Sequence, residues 1–332
     1  MTSLTQRAIA AAGALTLALT VSACGGANET NSASGETKKT DALTISATGV
    51  DDLPFMAMLQ VGIDKKWFEE EGLKVSLYSG AGGGNTLRVV TSGDADMAIA
   101  GATSIVLASQ KSDSNLTIVA PWFQINDFSW IAPEGASLDN AVLGFSSAGS
   151  STELVAKALK AKLNNVTLQA VGGMGDNWTA ARAKQITAGW AMQPFIAEKI
   201  ATDGAGVLVE SRKLIGDIPA DLVAVNNDYA KANPENLKTF FRVAARINDW
   251  ITNDPAAAAK DLAPLLGVSE DVMTQALEQT PELKTAYSLK VVPETMNNLS
   301  DLMVQAEQTK TPVDWAKAMD QQYLPEDAQT DF

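Results

Sequence analysis

Apolar and small side chains alternate along residues 42–49, ALTISATG, as they do on a half-buried strand. Pro54 then opens a helix, Gly72 closes that segment, and Lys74–Tyr78 alternates again. The next stretch, AGGGNTLRVVTSGDADMAIAGATSIVLAS, predicts a glycine loop, a helix from about Asn85 to Thr91, a strand at Met97–Ala100 and another helix. This β-α-β-α-β rhythm predicts an α/β fold with a largely parallel sheet, whose ligands sit at the carboxyl ends of the strands.

After a strand at Leu116–Ala120, the segment PWFQINDFSWIAPEGASLDN has the aromatic and turn content of a crossover. A second α/β set follows, with strands at Ala141–Phe145, Val166–Val171 and Gly206–Glu210 and helices near 150–163, 177–186 and 195–202. From Leu222 the pattern turns almost wholly helical. NPENLKTFFRVAARINDWI places Pro234 in a first turn and puts Leu237, Phe240, Phe241, Ala244, Ile247 and Ile251 on one face, which is a core stripe. Trp67 and Trp250 read as packing residues.

The ends change the compartment. Arg7 and the apolar or small run Ala8–Thr20 read as an export signal over residues 1–23. That run is shorter than the roughly 18–20 apolar residues of a membrane-spanning helix. Val21-Ser22-Ala23-Cys24 resembles the lipobox of bacterial lipoproteins, which implies cleavage before Cys24 and diacylation of its thiol. Residues 24–41, with no large apolar side chain after Cys24, then form a flexible tether.

Composition removes much chemistry. The 332 residues contain no histidine and one cysteine, which excludes a Ser-His-Asp triad, a Cys-His pair, a His-based zinc site and a disulfide framework. No GxSxG elbow or P-loop occurs, so the chain is expected not to be an enzyme and to need no cofactor or metal. A formal charge of −14 without a basic stripe argues against nucleic acid and anionic membrane as partners. About 290 residues of body exceed one comfortable core, and two lobes are expected.

Taken in order, the Pro54 helix leading to WFEEEGLKV, the SGDADMAIAG segment, a glycine-bearing strand before a serine-rich helix start, GWAMQPF, and NDYAKANPENLKTFFRV resemble the substrate-binding proteins of ABC importers for sulfonates, taurine, nitrate and thiamine precursors, over residues 42–325. The resemblance implies a two-lobed type II periplasmic binding protein fold with the ligand cleft between the lobes. Lobe 1 would take residues 42–120 and 222–332, and lobe 2 residues 121–221, joined by crossovers near 121–132 and 218–225 that hinge on the ligand. One departure bears on the ligand. Where relatives carry Gly-x-Val-Asp-Ala and Glu-Pro, this chain has Ile186-Thr187-Ala188-Gly189 and Gln193-Pro194, so two acidic positions are absent.

On that architecture the loop Ser146, Ser147, Gly149, Ser150, Ser151 and Thr152 stands at a strand end and a helix start, where free amides and hydroxyls suit an anionic or electron-rich group. Capping alone explains one of those hydroxyls. Gly80, Gly83 and Asn85 would face it from the other lobe, with Thr103 and Gln193 as further candidates. Trp122 and Trp190 lie outside helical stripes and are candidate pocket walls. Asp51, Asp52 and Asp176 are either solvated caps or acids that would pair an amine or aminopyrimidine. No Arg or Lys falls in these loops, the nearest being Arg88 inside a helix.

The expected function is that of a monomeric, membrane-anchored solute-binding lipoprotein on the extracytoplasmic face. It would capture a small organic ion, a taurine-like alkanesulfonate or an aromatic carboxylate, for an ABC permease whose ATPase is a separate chain. A thiamine precursor or other nitrogen heterocycle is the alternative ligand. The alternative roles are a pyrimidine-synthase-like enzyme and a structural surface lipoprotein.

Overall fold

The computed structural model describes residues 41–80 and 82–332; the export signal, Cys24 and nearly all of the tether lie outside the described residues. Ten strands are present among them: β1 (Asp41–Thr48), β2 (Leu73–Gly80), β3 (Met97–Gly101), β4 (Leu116–Phe123), β5 (Ser129–Pro133), β6 (Val142–Phe145), β7 (Thr167–Ala170), β8 (Ala188–Ala191), β9 (Ala205–Glu210) and β10 (Asp221–Asn226). They form two five-stranded sheets, β2-β1-β3-β10-β4 and β7-β6-β8-β5-β9, each flanked by helices. The fold is α/β and two-lobed, as the sequence pattern predicts.

Each sheet mixes directions. β1 runs parallel to β2 and β3, and β6 runs parallel to β7 and β8. The antiparallel pairings all involve β5 or β10, the strands that follow the two passages of the chain between lobes. β10 corrects the expectation of a helical chain from Leu222 onward. Leu222, Val223, Ala224 and Val225 are all fully buried, so this strand is apolar on both faces and lacks the alternation that marks a half-buried strand. β4 also runs on through Pro121, Trp122 and Phe123, which therefore belong to the first sheet.

The helical tail follows its pattern closely. Helix Pro234–Asn253 starts with proline in its first turn and buries Leu237, Phe240, Phe241, Ala244, Ile247 and Ile251 completely. Its Trp250 meets Trp67 edge-on at 5.8 Å. No helix among the described residues is long and apolar enough to cross a membrane.

The two passages between lobes, 124–128 and 211–220, brace one another. Ser211 Oγ donates to Asn126 Oδ1 at 2.7 Å, the Asn126 amide donates to Asp217 Oδ1 at 3.2 Å, and Arg212 Nε donates to the same carboxylate at 2.7 Å. Between the lobes, at the carboxyl ends of β1, β2, β3, β6 and β8, lies a cleft of about 940 Å³. That volume suits a small-molecule ligand.

Candidate functional site

The second-lobe wall of the cleft is built by the turn after β6. Ser150 caps helix Ser151–Lys162, its Oγ accepting from the Glu153 amide at 3.1 Å, and Glu153 Oε2 accepts the Gly149 amide at 2.7 Å. Thr152 Oγ1 accepts the Ser146 amide at 2.9 Å and shares protons with the hydroxyls of Ser146 at 2.7 Å and Ser150 at 2.9 Å. Ser150 Oγ also donates to the Ser147 carbonyl at 2.7 Å. All six predicted members of this loop line the cleft. Most of their hydroxyls hold the loop itself, and the Ser147 side chain makes no such bond.

The same loop touches the other lobe. The Thr103 amide donates to Ser151 Oγ and Ser104 Oγ donates to the Gly149 carbonyl, both at 3.3 Å. Gly101 makes the approach feasible, because a Cβ there would stand 2.8 Å from Ser151 Oγ. Thr103 thus works through its backbone. It is fully buried and is not a lining residue.

The first-lobe wall is barer. Gly80, Gly82, Gly83 and Gly84 line it where helix Gly83–Thr91 begins, with Gly82 at φ +84°, a conformation glycine alone adopts freely. Thr86 Oγ1 braces this turn, sharing a proton with Thr48 Oγ1 at 2.6 Å. Asn85 is not a lining residue and accepts Arg88 Nη2 at 3.3 Å, whereas Arg88 itself lines the cleft. No Arg or Lys lies in the predicted loops, yet two cations reach the cleft from outside them, Arg88 from its helix and Lys111, both exposed lining residues.

The acids divide. Asp52 lines the cleft, and partial burial together with the neighbouring Asp51 holds its carboxyl above the usual range. Asp51 itself is exposed and does not line the cleft. Asp176 lines it, but its Oδ2 accepts the Gly173 amide at 3.1 Å at the start of its helix. Asp221, at the first position of β10, lines the cleft at 5% exposure, and burial alone pushes its carboxyl up to about 7. Within the first passage between lobes, Asp127 is also pushed up to about 7 by burial, against the opposing pull of the Gln193 amide and Arg212.

Trp190, half-buried in β8, lines the cleft and donates through Nε1 to the Gly172 carbonyl at 3.0 Å. Its ring is tilted against that of Phe128 at 6.3 Å, and with Met192 the pair forms an apolar stretch of wall. Trp122 is in the core, not the cleft. It is 1% exposed, its Nε1 donates to the Phe55 carbonyl at 2.7 Å, and it stacks on Phe240 at 6.1 Å. Gln193 is buried behind the cleft, where it donates to Gln279 Oε1 at 2.9 Å and accepts the Ala197 amide at 3.2 Å. The described residues hold no cluster of acids or thiols suited to a metal ion.

The family model described as NMT1/THI5 like matches residues 54–258. Among solved structures, the ligand-binding component of an ABC-type import system from Staphylococcus aureus, solved with zinc bound, superposes with a TM-score of 0.71 at 16% identity, covering 87% of this chain and 99% of that one. The alkanesulfonate-binding protein SsuA from Xanthomonas axonopodis pv. citri, bound to MOPS, gives 0.67 at 16% identity over 84% of this chain and 98% of that one. A DszB mutant in complex with biphenyl-2-sulfinic acid gives 0.62 at 12% identity over 86% and 97%. No curated protein matches the chain by sequence.

Proposed function

The chain belongs to the NMT1/THI5-like family, and from that premise we propose that it is the extracytoplasmic solute-binding component of an ABC importer, capturing a small organic ion between its lobes. The observation that carries this is the cleft itself. Two helix starts, Gly83 in one lobe and Ser151 in the other, line the same space together with Arg88 and Lys111. First-turn amides have no acceptor within their own helix, and the helix dipole favours negative charge there. A sulfonate or carboxylate is the group this chemistry suits, and an alkanesulfonate of taurine type or an aromatic carboxylate is the proposed cargo. The neighbours solved with MOPS and with a sulfinic acid support the same class.

The role is binding and delivery, with a separate permease and ATPase. Export by residues 1–23 and a lipid on Cys24 would tether the monomer outside the membrane. A flat nitrogen heterocycle is the second reading, favoured by Trp190 and Phe128 on the wall. Catalysis of the pyrimidine-synthase kind lacks support, since no histidine is present.

Native mass spectrometry of the protein extracted from its own cells tests the proposal. The expected result is a chain beginning at a lipidated Cys24 and carrying a small organic ion whose uptake is lost when the gene is deleted. An unprocessed chain from Met1 that carries no solute and whose deletion changes no uptake would overturn it.

A further inference from the structure

Acids elsewhere in the fold have partners within it. Asp96 accepts the Thr44 amide, Asp217 accepts Arg212 and the Asn126 amide, and Asp203 accepts the Trp178 indole. Asp221 differs. Its backbone pairs with Gly101 on one side and Phe123 on the other, and its side chain has neither a hydrogen-bond donor nor a cation against it among the described residues. An unpaired buried carboxyl is costly, and nothing in the first sheet requires one there. An asparagine or a small apolar residue would satisfy the strand equally well.

Its direction is fixed by the ladder. Residues directly opposite in an antiparallel pair project to the same face, so the Asp221 side chain leaves the sheet on the side where a Gly101 Cβ would point. That side is where Ser151 Oγ comes within 2.8 Å of the Gly101 Cβ position. With opposed Cα atoms about 5 Å apart, Asp221 stands within about 9 Å of the serine loop. Gly101, Ser151 and Asp221 all line the cleft. A carboxyl awaiting a donor and a loop suited to an anion thus share one small volume, with Arg88 and Lys111 on the first-lobe side and Asp52 and Asp113 as further acids without a partner in the fold.

We infer that Asp221 is the cleft's acceptor for a protonated nitrogen and that the ligand is a compact zwitterion, its ammonium on Asp221 and its anionic group toward the serine loop and Arg88. This rests on the binding-protein reading above and narrows its ligand class. A ligand with an anion alone would leave the Asp221 carboxylate without a counterion. A ligand with a cation alone would leave the helix starts unused.

The test is a thermal-shift and calorimetry comparison of matched pairs on the purified protein: taurine against ethanesulfonate, and β-alanine against propionate, each at millimolar concentration. Only the amino member of a pair should bind. Asp221→Asn should weaken that binding by about a hundredfold, the weight of a hydrogen bond to a charged group, and should melt no lower than wild type without ligand. Asp51→Asn, at an exposed position outside the cleft lining, should leave the binding within about threefold, as for an exposed charge. Equal binding of ethanesulfonate and taurine, unchanged affinity in Asp221→Asn, or a loss confined to Asp52→Asn would each overturn the assignment. Silence from all four compounds would overturn it as well, while the extracted solute and the uptake test would still decide the binding-protein reading.

Discussion

The two walls of the cleft solve different problems. The second-lobe wall is rich in hydroxyls, yet those hydroxyls cap a helix, bond one another and reach across to the first lobe, so what they supply is a fixed shape and a point of closure, and what is left for an anion is the helix start itself. The first-lobe wall is made of glycines and carries Asp52, Arg88, Lys111, Asp113 and Asp221, which gives it most of the charged side chains of the cleft. A stretch crowded with serine and threonine is therefore weaker evidence of ligand contact than its composition suggests. Short hydroxyls satisfy backbone groups first, and only the remainder faces a ligand.

The charged wall can be tested by pH, and this is the largest expected effect. Asp221, with Asp127 in the first passage between lobes, has a carboxyl pushed up to about 7 in the folded chain, against an ordinary value of 3.8. The folded state therefore holds protons that the unfolded state releases. The stability they contribute is complete below pH 4 and is lost as pH rises to about 7, by at most about 4 kcal/mol for each group. Groups facing them are Arg212, the buried Tyr287 and the Gln193 amide for Asp127, while burial alone acts on Asp221. Chemical denaturation at a series of pH values should show stability falling across that window, with a shallower fall in Asp221→Asn. A flat or rising profile between pH 5 and 7 would remove the distinction between the two walls.

The knit wall can be tested by deleting hydroxyls one at a time. Thr152→Ala removes the acceptor of the Ser146 amide and the partner of two hydroxyls at a position 4% exposed, and should cost about 1–3 kcal/mol of stability, the cost of an unsatisfied buried group. Ser147→Ala removes a side chain without such bonds and should leave stability unchanged within about 0.5 kcal/mol. Denaturant melts of the two variants separate the hydroxyls that build the loop from the one left to meet a ligand. Equal losses in both would mean that Ser147 also belongs to the framework.

Much of this is legible in the sequence. The α/β rhythm, the paired lobes and the helical stripe from Leu237 to Ile251 follow from periodicity, because one face of each of those elements is buried and the other is wet. β10 escaped because it is buried on both faces, and β5 and β8 because each spans only five or four residues. In the cleft, strand ends and helix starts were legible as positions, which is why the serine loop and Gly80, Gly83, Asp52, Asp176 and Trp190 line it. Trp122 was not legible as core, since a tryptophan beside a crossover has no periodic neighbours to betray burial. Asp221 was hidden for a related reason. A single acid at the head of an apolar run looks like a turn residue until the ladder places Gly101 opposite it and Ser151 beyond.

The smallest effect bears on the seam where the walls meet. Gly101 lies at the end of β3, and its missing side chain lets Ser151 Oγ accept the Thr103 amide at 3.3 Å. The backbone there is at φ −47°, which any residue adopts, so alanine brings no conformational strain. Its Cβ would instead stand 2.8 Å from the hydroxyl, which must rotate away and give up that bond. The loss should be about 1 kcal/mol, the net worth of one hydrogen bond. It should fall on the closed arrangement of the lobes and leave each lobe's own packing intact. Gly101→Ala should therefore melt almost as wild type without ligand, yet show a larger radius of gyration by small-angle scattering and a weaker affinity for whichever solute the cleft takes. An unchanged radius together with unchanged affinity would show that the seam does not hold the walls together, and that closure depends on the ligand alone.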